Sequence, residues 1–322
     1  MWLLLFSFLS GLVVGLFLRR CISWFRDDAL AVKPLRSYLL VEAITGTFFA
    51  IAAWRFGFPL AIPIWLFGSL LILTTFIDIE SFIIPDVVSK PGIVAGLAAS
   101  LLFPELHSTS SRLVAGGLSI AGALVGGGLL FVIGELGKLA FGRYKVVLPT
   151  AARFRFEKVP PDDAQIVIDN DSFRYTDHFF RKTDRIRIRA EEATINDRNF
   201  QKIELILYYD RLETPEVTIP LDELHSLEGS TAYAEFPREA MGLGDVKLTA
   251  MIGAFTGWAG ALFTIPAASV IGAVYGILTI LLGRRDWSLK IPFGPYLALG
   301  AVLWIFCGKQ LLEWYQQVVF KL

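Results

Sequence analysis

Two aspartates lie at the ends of long apolar segments, where an ionised side chain needs a chemical or structural reason. Asp78 follows the uncharged residues 59–77, and Asp245 lies in the sequence GLGDVKL just before another apolar segment. Asp78 is at the carboxyl end of its predicted helix, where the helix dipole disfavours a negative charge. Asp245 is at the start of its predicted helix, where the dipole tolerates one. A capped turn is therefore enough to explain Asp245 alone, but not Asp78.

Two carboxyl groups from separate segments can share one proton when they lie close together at one membrane face. One carboxylate then acts as general base on a water while the other, still protonated, polarises the scissile carbonyl. Asp78 and Asp245 therefore predict peptide hydrolysis without a metal or a covalent intermediate. No Ser/His or Cys/His pair is expected to compete, because His107 is predicted in an outer loop and His178 and His225 in a soluble insert.

The residues beside each aspartate have predicted structural roles. Gly242 and Gly244 permit backbone angles closed to other residues and the close approach of another segment. Pro85 and Asp86 are predicted to open the helix that follows Asp78, with Asp86 as its cap.

The composition indicates a protein that crosses a membrane several times. Hydrophobic residues make up 54% of the 322, the mean hydropathy is +0.57, and 30 basic residues balance 30 acidic ones. This zero net charge gives no reason to expect nucleic acid. Cys21 and Cys307 are too few for a disulfide framework or a four-ligand zinc site, and no metal site is predicted.

About eight segments are long and apolar enough to be predicted as spans. They are residues 1–18, 38–54, 59–77, 87–103, 113–134, 246–260, 261–282 and 292–308. The sixth and seventh are separated only by a turn inferred near residues 257–260. Segment 1–18 has no positive region before it and no cleavage site, so it is predicted to be a retained helix.

The distribution of Lys and Arg predicts the orientation of these spans. If the N-terminus is outside the cell, most basic residues beside a span fall at its cytoplasmic end. The exceptions are Arg55, Arg112, Lys309 and Lys321. Asp78, Asp86 and Asp245 are then all predicted at the cytoplasmic face of the plasma membrane.

A soluble insert is predicted between two parts of the membrane domain, which are residues 1–140 and 239–322. Residues 141–238 hold 15 basic and 18 acidic residues, and alternate in AQIVIDN, RIRIRA, KIELILYYD and EVTIP. This pattern predicts strands, and therefore a β-rich cytoplasmic domain, with α+β as an alternative. FRKTDRIRIR is interpreted as a solvated strand face, with a basic face for a partner or lipid headgroups as the alternative.

The polar residues at the two helix ends resemble those of the type IV prepilin peptidases, among the GxGD intramembrane aspartyl proteases. They are Asp78, Pro85, Asp86, Gly242, Gly244, Asp245 and Lys247. SYLLVEAITGTFFAIAAWRFG, at residues 37–57, resembles the second span of that family. IPFGPYLALGA, at residues 291–301, resembles its last span.

The resemblance implies an endopeptidase that removes the leader peptide of prepilins or pseudopilins at the cytoplasmic face of a bacterial inner membrane. Asp78 and Asp245 would be catalytic, and the peptidase would need no cofactor. Supporting roles are implied for Gly242, Gly244, Asp86, Glu80 and Lys247. The implied partners are the substrates, membrane lipid and, through the insert, assembly proteins of a type IV pilus or type II secretion system.

Two features depart from the family. Members that also methylate the new N-terminus use S-adenosylmethionine, and many carry two Cys-x-x-Cys pairs in a loop that here, at residues 19–36, has only Cys21. The insert is the second departure, and its position predicts that it covers the active site, recruits a partner or selects substrates. A catalytically silent scaffold or sensor, and a proton-relaying transporter, are the alternatives. The predicted position of the acids at one face instead of the midplane disfavours the transporter.

Overall fold

The computed structural model describes residues 2–25, 36–141, 143–159, 163–169, 171–175, 179, 184–237, 241–282 and 291–319. Most of the predicted loop 19–36, part of FRKTDRIRIR and His178 lie outside these residues. The chain forms two compact units. One comprises Met1–Val132 with Leu243–Leu322, and the other comprises Ile133–Gly242.

The first unit is helical. Its helices are α1 (Trp2–Trp24), α2 (Arg36–Phe56), α3 (Ala61–Ser81), α4 (Asp86–Leu102), α5 (Arg112–Phe141, which continues into the second unit), α6 (Leu243–Leu281) and α7 (Gly294–Val319). Within the described residues, five helices are long and apolar enough to cross a membrane, namely α1, α2, α3, α5 and α6. Residues 294–308 of α7 form a shorter apolar helix. The eight predicted segments thus fall on seven helices, because two of them fall on α6.

Helix α6 is broken at Gly257, where the backbone adopts φ 72° and ψ 179°. Its 39 residues would measure about 58 Å at ~1.5 Å per residue, about twice the thickness of a bilayer core. The break lies at the first residue of the predicted turn 257–260. The one continuous apolar stretch is therefore two helical segments that meet at a glycine.

Helix α6 packs closely against its neighbours. The buried rings of Phe67 on α3 and Phe255 on α6 stack with centroids 4.6 Å apart. Gly122 on α5 and Gly253 on α6 lie backbone against backbone, since a Cβ on either would overlap the other helix. Ser119 on α5 donates a hydrogen bond of 2.8 Å to the Ala254 carbonyl. These contacts fix α6 against α5 and, through the stack of Phe67 on Phe255, against the helix that carries Asp78.

The second unit contains an eight-stranded antiparallel sheet with the strand order β3-β2-β1-β8-β4-β5-β6-β7. The strands are β1 (Arg143–Val159), β2 (Asp163–Ile168), β3 (Asp171–Arg174), β4 (Ile186–Ile195), β5 (Arg198–Leu207), β6 (Arg211–Glu213), β7 (Thr218–Pro220) and β8 (Leu227–Pro237). Alternate residues on β2, β4 and β5 are buried, including Ile166, Ile188 and Leu205. The predicted β-rich insert is confirmed.

Candidate active site

Asp78 lies in the last turn of α3, and only 5% of the residue is exposed. Its Oδ2 accepts a hydrogen bond of 2.9 Å from the backbone N–H of Gly294, the first residue of α7. The positive end of α7 therefore faces the carboxyl group that the dipole of α3 disfavours. This contact supplies the structural reason for Asp78 that its own helix lacks.

Asp245 lies in the first turn of α6 and is half-buried. Its carboxyl group is close enough to that of Asp78 for a direct Coulomb interaction. The structure thus brings together the two carboxyl groups that are 167 positions apart in the sequence. Because Asp78 is buried and Asp245 is half-buried, this interaction is stronger than it would be in bulk water.

Ile84, in the segment after α3, joins the helix ends around the two acids. A Cβ on Gly244 would lie 3.0 Å from Ile84 Cβ, and a Cβ on Gly294 would lie 3.2 Å from Ile84 Cδ1. The same Cβ on Gly294 would lie 2.6 Å from Asp78 Oδ2. A side chain at position 294 would therefore displace the Asp78 carboxyl group, and one at position 244 would press on Ile84.

Gly294 is a site residue that the sequence analysis did not identify. It has no titratable side chain, and its contribution is a backbone N–H. The only indication in the sequence is FGP at the start of the last apolar segment.

Asp86 and Lys247 link the starts of α4 and α6. The Lys247 ammonium group binds Asp86 Oδ1, and Lys90, one turn along α4, lies 2.7 Å from Asp86 Oδ2. Helix α4 begins at Asp86 as predicted, but no side chain caps it and Pro85 occupies the cap position. The predicted capping role of Asp86 is wrong, because two lysines engage its carboxylate in place of the backbone N–H groups.

The other two predicted supporting residues lie next to the aspartates in the chain. Glu80 is half-buried in the last turn of α3, two residues after Asp78. Gly242 is exposed and directly precedes α6.

A Ser/His pair that was not expected from the sequence lies between Ser100 and His107. Ser100 Oγ is 2.8 Å from His107 Nε2 and donates to the Gly96 carbonyl, also at 2.8 Å. Ser100 is fully buried, so its hydroxyl is not accessible to a peptide. The pair joins α4 to the turn Pro104–His107 and is structural.

A cavity of about 650 Å³ lies at the opposite end of α3 from Asp78. Leu60 and Pro63 at the start of α3 line it, together with Arg55, His107 and Trp304. It is therefore separate from the carboxyl pair. Within the described part of the chain, no three His, Cys, Asp or Glu side chains are grouped as metal ligands.

The comparisons with known proteins match the segments that carry these carboxyl groups. A profile of the type IV leader peptidase family matches residues 65–166 and 229–277. Three similar relatives are each named prepilin leader peptidase/N-methyltransferase. They come from Aeromonas salmonicida (39% identity over 82 residues, 26% of this chain and 28% of the relative), Pseudomonas aeruginosa (40% over 80 residues, 25% and 28%) and Xanthomonas campestris pv. campestris (42% over 78 residues, 24% and 27%).

The chain thus spans between a quarter and a third of the length of these relatives. No solved structure matches it. The two segments matched by the family profile contain Asp78, Asp86 and Asp245, with the helix ends that position them. In these two segments, of 102 and 49 residues, the chain is similar to the type IV leader peptidase family.

Proposed function

We propose that the protein is a membrane-embedded aspartyl endopeptidase that removes the leader peptide of type IV prepilins or pseudopilins at the cytoplasmic face of the membrane. The observation that carries this proposal is that the Asp78 and Asp245 carboxyl groups, at the ends of apolar helices, lie within range of a direct Coulomb interaction. The similarity of two segments to the type IV leader peptidase family supports the leader peptide as the substrate.

In the proposed mechanism, the two carboxyl groups share one proton. The ionised group takes a proton from a water molecule, and the water oxygen attacks the scissile carbonyl carbon. The protonated group transfers its proton to the carbonyl oxygen, giving a neutral tetrahedral intermediate. When the C–N bond breaks, the leaving nitrogen takes the proton held by the first group, and the second recovers one from the collapsing intermediate.

Helix ends supply the rigidity that this mechanism needs. The Gly294 N–H holds one oxygen of Asp78, and Gly244 packs on Ile84 beside Asp245. Carboxyl groups fixed by backbone contacts are oriented before the substrate binds, which lowers the entropic part of the barrier.

Peptide cleavage by this mechanism needs no cofactor. The printed names of the relatives also include N-methyltransferase, for which S-adenosylmethionine would be the methyl donor. The loop 19–36 contains Cys21 and no Cys-x-x-Cys pair. The proposal is therefore limited to cleavage, and the mass of the mature N-terminus tests whether a methyl group is added.

The deciding experiment is cleavage of a co-expressed prepilin from the same genome by wild type, Asp78→Asn and Asp245→Asn. Asparagine keeps the size and polarity of aspartate but cannot exchange the proton, so both variants are expected to lose cleavage. Asp222→Asn, in the insert, is a matched control that should cleave like wild type. Wild-type cleavage by either site variant, at equal protein level, would contradict the carboxyl pair.

A silent scaffold or sensor that docks partners through the insert is the second candidate. Its supporting feature is the large charged insert, which holds 33 of the 60 charged residues. Failure of the wild-type protein to cleave every pilin-like substrate tested would favour this candidate over the peptidase.

A further inference from the structure

The second unit contains a cavity of about 240 Å³ whose walls are mostly charged. Among the described residues, four basic and two acidic side chains line it with two apolar residues: Lys138, Arg143, Arg185, Arg187, Asp184, Glu235, Phe236 and Pro237. All eight belong to the compact unit Ile133–Gly242. The cavity is thus a feature of the insert and the end of α5 that leads into it.

Each acid in this cavity is paired with a base. Glu235 is buried and lies 2.8 Å from an Arg143 guanidinium nitrogen. Asp184 is buried and lies 3.5 Å from Lys138 Nζ. The charge of the lining, four cations against two carboxylates, is therefore +2. The excess positive charge is that of two arginines, Arg185 and Arg187. Arg185 is exposed and Arg187 is half-buried.

The strand register keeps the basic groups on one face. Glu235 on β8 lies directly opposite Arg187 on β4 and Lys145 on β1, so the three side chains share a face. Ile186 and Ile188 beside Arg187 point into the core. The alternation in RIRIR, interpreted from sequence as a solvated strand face, thus gives the cavity part of its positive lining.

The position in the chain places this cavity at the boundary between lipid and water. Lys138 is the second-last residue of the apolar stretch Arg112–Leu139. Arg143 and Pro237 are the first residue of β1 and the last of β8, and they pair with each other. Basic residues at the end of a span lie at the depth of lipid headgroups.

We propose that this cavity binds the phosphate of an anionic phospholipid headgroup. Guanidinium groups match a phosphate with parallel N–H donors, and basic residues near an anionic membrane surface are attracted to it. The inference goes beyond the proposed peptidase activity and does not depend on it.

The test uses the full chain in a neutral detergent, titrated with short-chain phosphatidylglycerol, with phosphatidylcholine of the same chain length, and with inorganic phosphate. Arg185→Gln/Arg187→Gln should bind phosphatidylglycerol roughly 30-fold more weakly than wild type, from two charges at about 1 kcal/mol each. Arg185→Lys/Arg187→Lys keeps both charges but loses the parallel N–H donors, so it should bind more weakly than wild type and more tightly than the glutamine variant.

Arg153→Gln/Arg198→Gln is the matched control, since it removes two exposed charges at positions that do not line the cavity. It should bind like wild type. Three outcomes would overturn the proposal: equal binding of the two lipids by wild type, equal loss in the control variant, or tight binding of inorganic phosphate without binding of phosphatidylglycerol. Circular dichroism of all variants excludes misfolding as the cause of a loss.

Discussion

Asp78 illustrates how one side chain can be unfavourable in its own helix and favourable in the assembled unit. It lies at the negative end of α3 but accepts the Gly294 N–H at the positive end of α7. Asp245 lies at the positive end of its own helix, α6. Both carboxyl groups therefore meet helix N-termini, which favour negative charge and hold the two groups in place.

Replacing Gly294 by alanine is predicted to damage the site without damaging the fold. The added Cβ would lie 2.6 Å from Asp78 Oδ2, so the carboxyl group must move away from its backbone donor. Displacement of a reacting group by about 1 Å can cost about 100-fold in rate, and a loss of roughly 10- to 100-fold in prepilin cleavage is expected. Initial cleavage rates of purified protein measure this effect.

Gly128→Ala is the control for that substitution. A Cβ on Gly128 in α5 would meet no atom within 4 Å, and alanine is favoured over glycine inside a helix by roughly 0.5–1 kcal/mol. This variant should cleave at the wild-type rate. An equal loss in both variants would show that the Asp78–Gly294 contact is not the cause.

At the residue scale, the two aspartates could be predicted as site residues from the sequence. An ionised side chain beside an apolar segment is unfavourable in free energy, so each one calls for an explanation. Gly294 could not be predicted in this way, since its backbone N–H is common to almost every residue. The capping role of Asp86 was predicted from local chemistry alone. It failed because Lys247, 161 positions away in the sequence, provides a stronger partner.

Among the elements, α4 and α6 are joined at their starts by the ion pair between Asp86 and Lys247. We predict that Asp86→Asn and Lys247→Gln each reduce cleavage, and less than Gly294→Ala does, because neither touches a reacting carboxyl group. The double variant should cleave no more slowly than the slower of the two single variants, since both changes remove the same ion pair. Cleavage rates of the four proteins test this, and additive losses would show that the two residues act separately.

The break in α6 depends on Gly257, whose angles are accessible almost only to glycine. Gly257→Ala is predicted to lower the free energy of unfolding by about 1–3 kcal/mol, and its Cβ would also lie 3.2 Å from His107 Nδ1. Thermal unfolding in detergent, compared with Gly117→Ala, whose Cβ would meet no atom within 4 Å, measures the effect.

Folded Gly257→Ala protein should still cleave. Asp245 lies twelve residues before the break, about 18 Å along a helix. A variant with full thermal stability would contradict the structural role given to this glycine.

The sequence predicted strands best where alternation was regular. AQIVIDN and RIRIRA correspond to β2 and β4, because one face of each strand is buried. Strand β1 was not predicted. It contains Pro149, and its register with β8 shifts between Val147 and Ala152, so the alternation that identifies a strand is interrupted.

At the scale of the whole molecule, the order of the helices determines which features share a side of the membrane. Asp78 ends α3 and Asp86 starts α4, so both lie at one end of this helix pair. The loop after α4 lies at the other end of this 17-residue helix, about 26 Å from its start. Helix α5 is predicted to return the chain across the membrane, which would put the insert at the face where Asp78 and Asp245 are predicted.

This order, together with the orientation predicted from Lys and Arg, predicts the labelling of two single cysteines in a chain whose Cys21 and Cys307 are replaced by serine. Ser110→Cys, in the exposed loop before α5, should react with a membrane-impermeant maleimide in right-side-out membrane vesicles. Arg198→Cys, exposed at the β4–β5 hairpin, should react only after the vesicles are permeabilised. The reverse pattern would place the carboxyl pair outside and contradict cleavage at the cytoplasmic face. Labelling of both positions from outside would show instead that α5 does not cross, since α5 alone separates the loop from the insert.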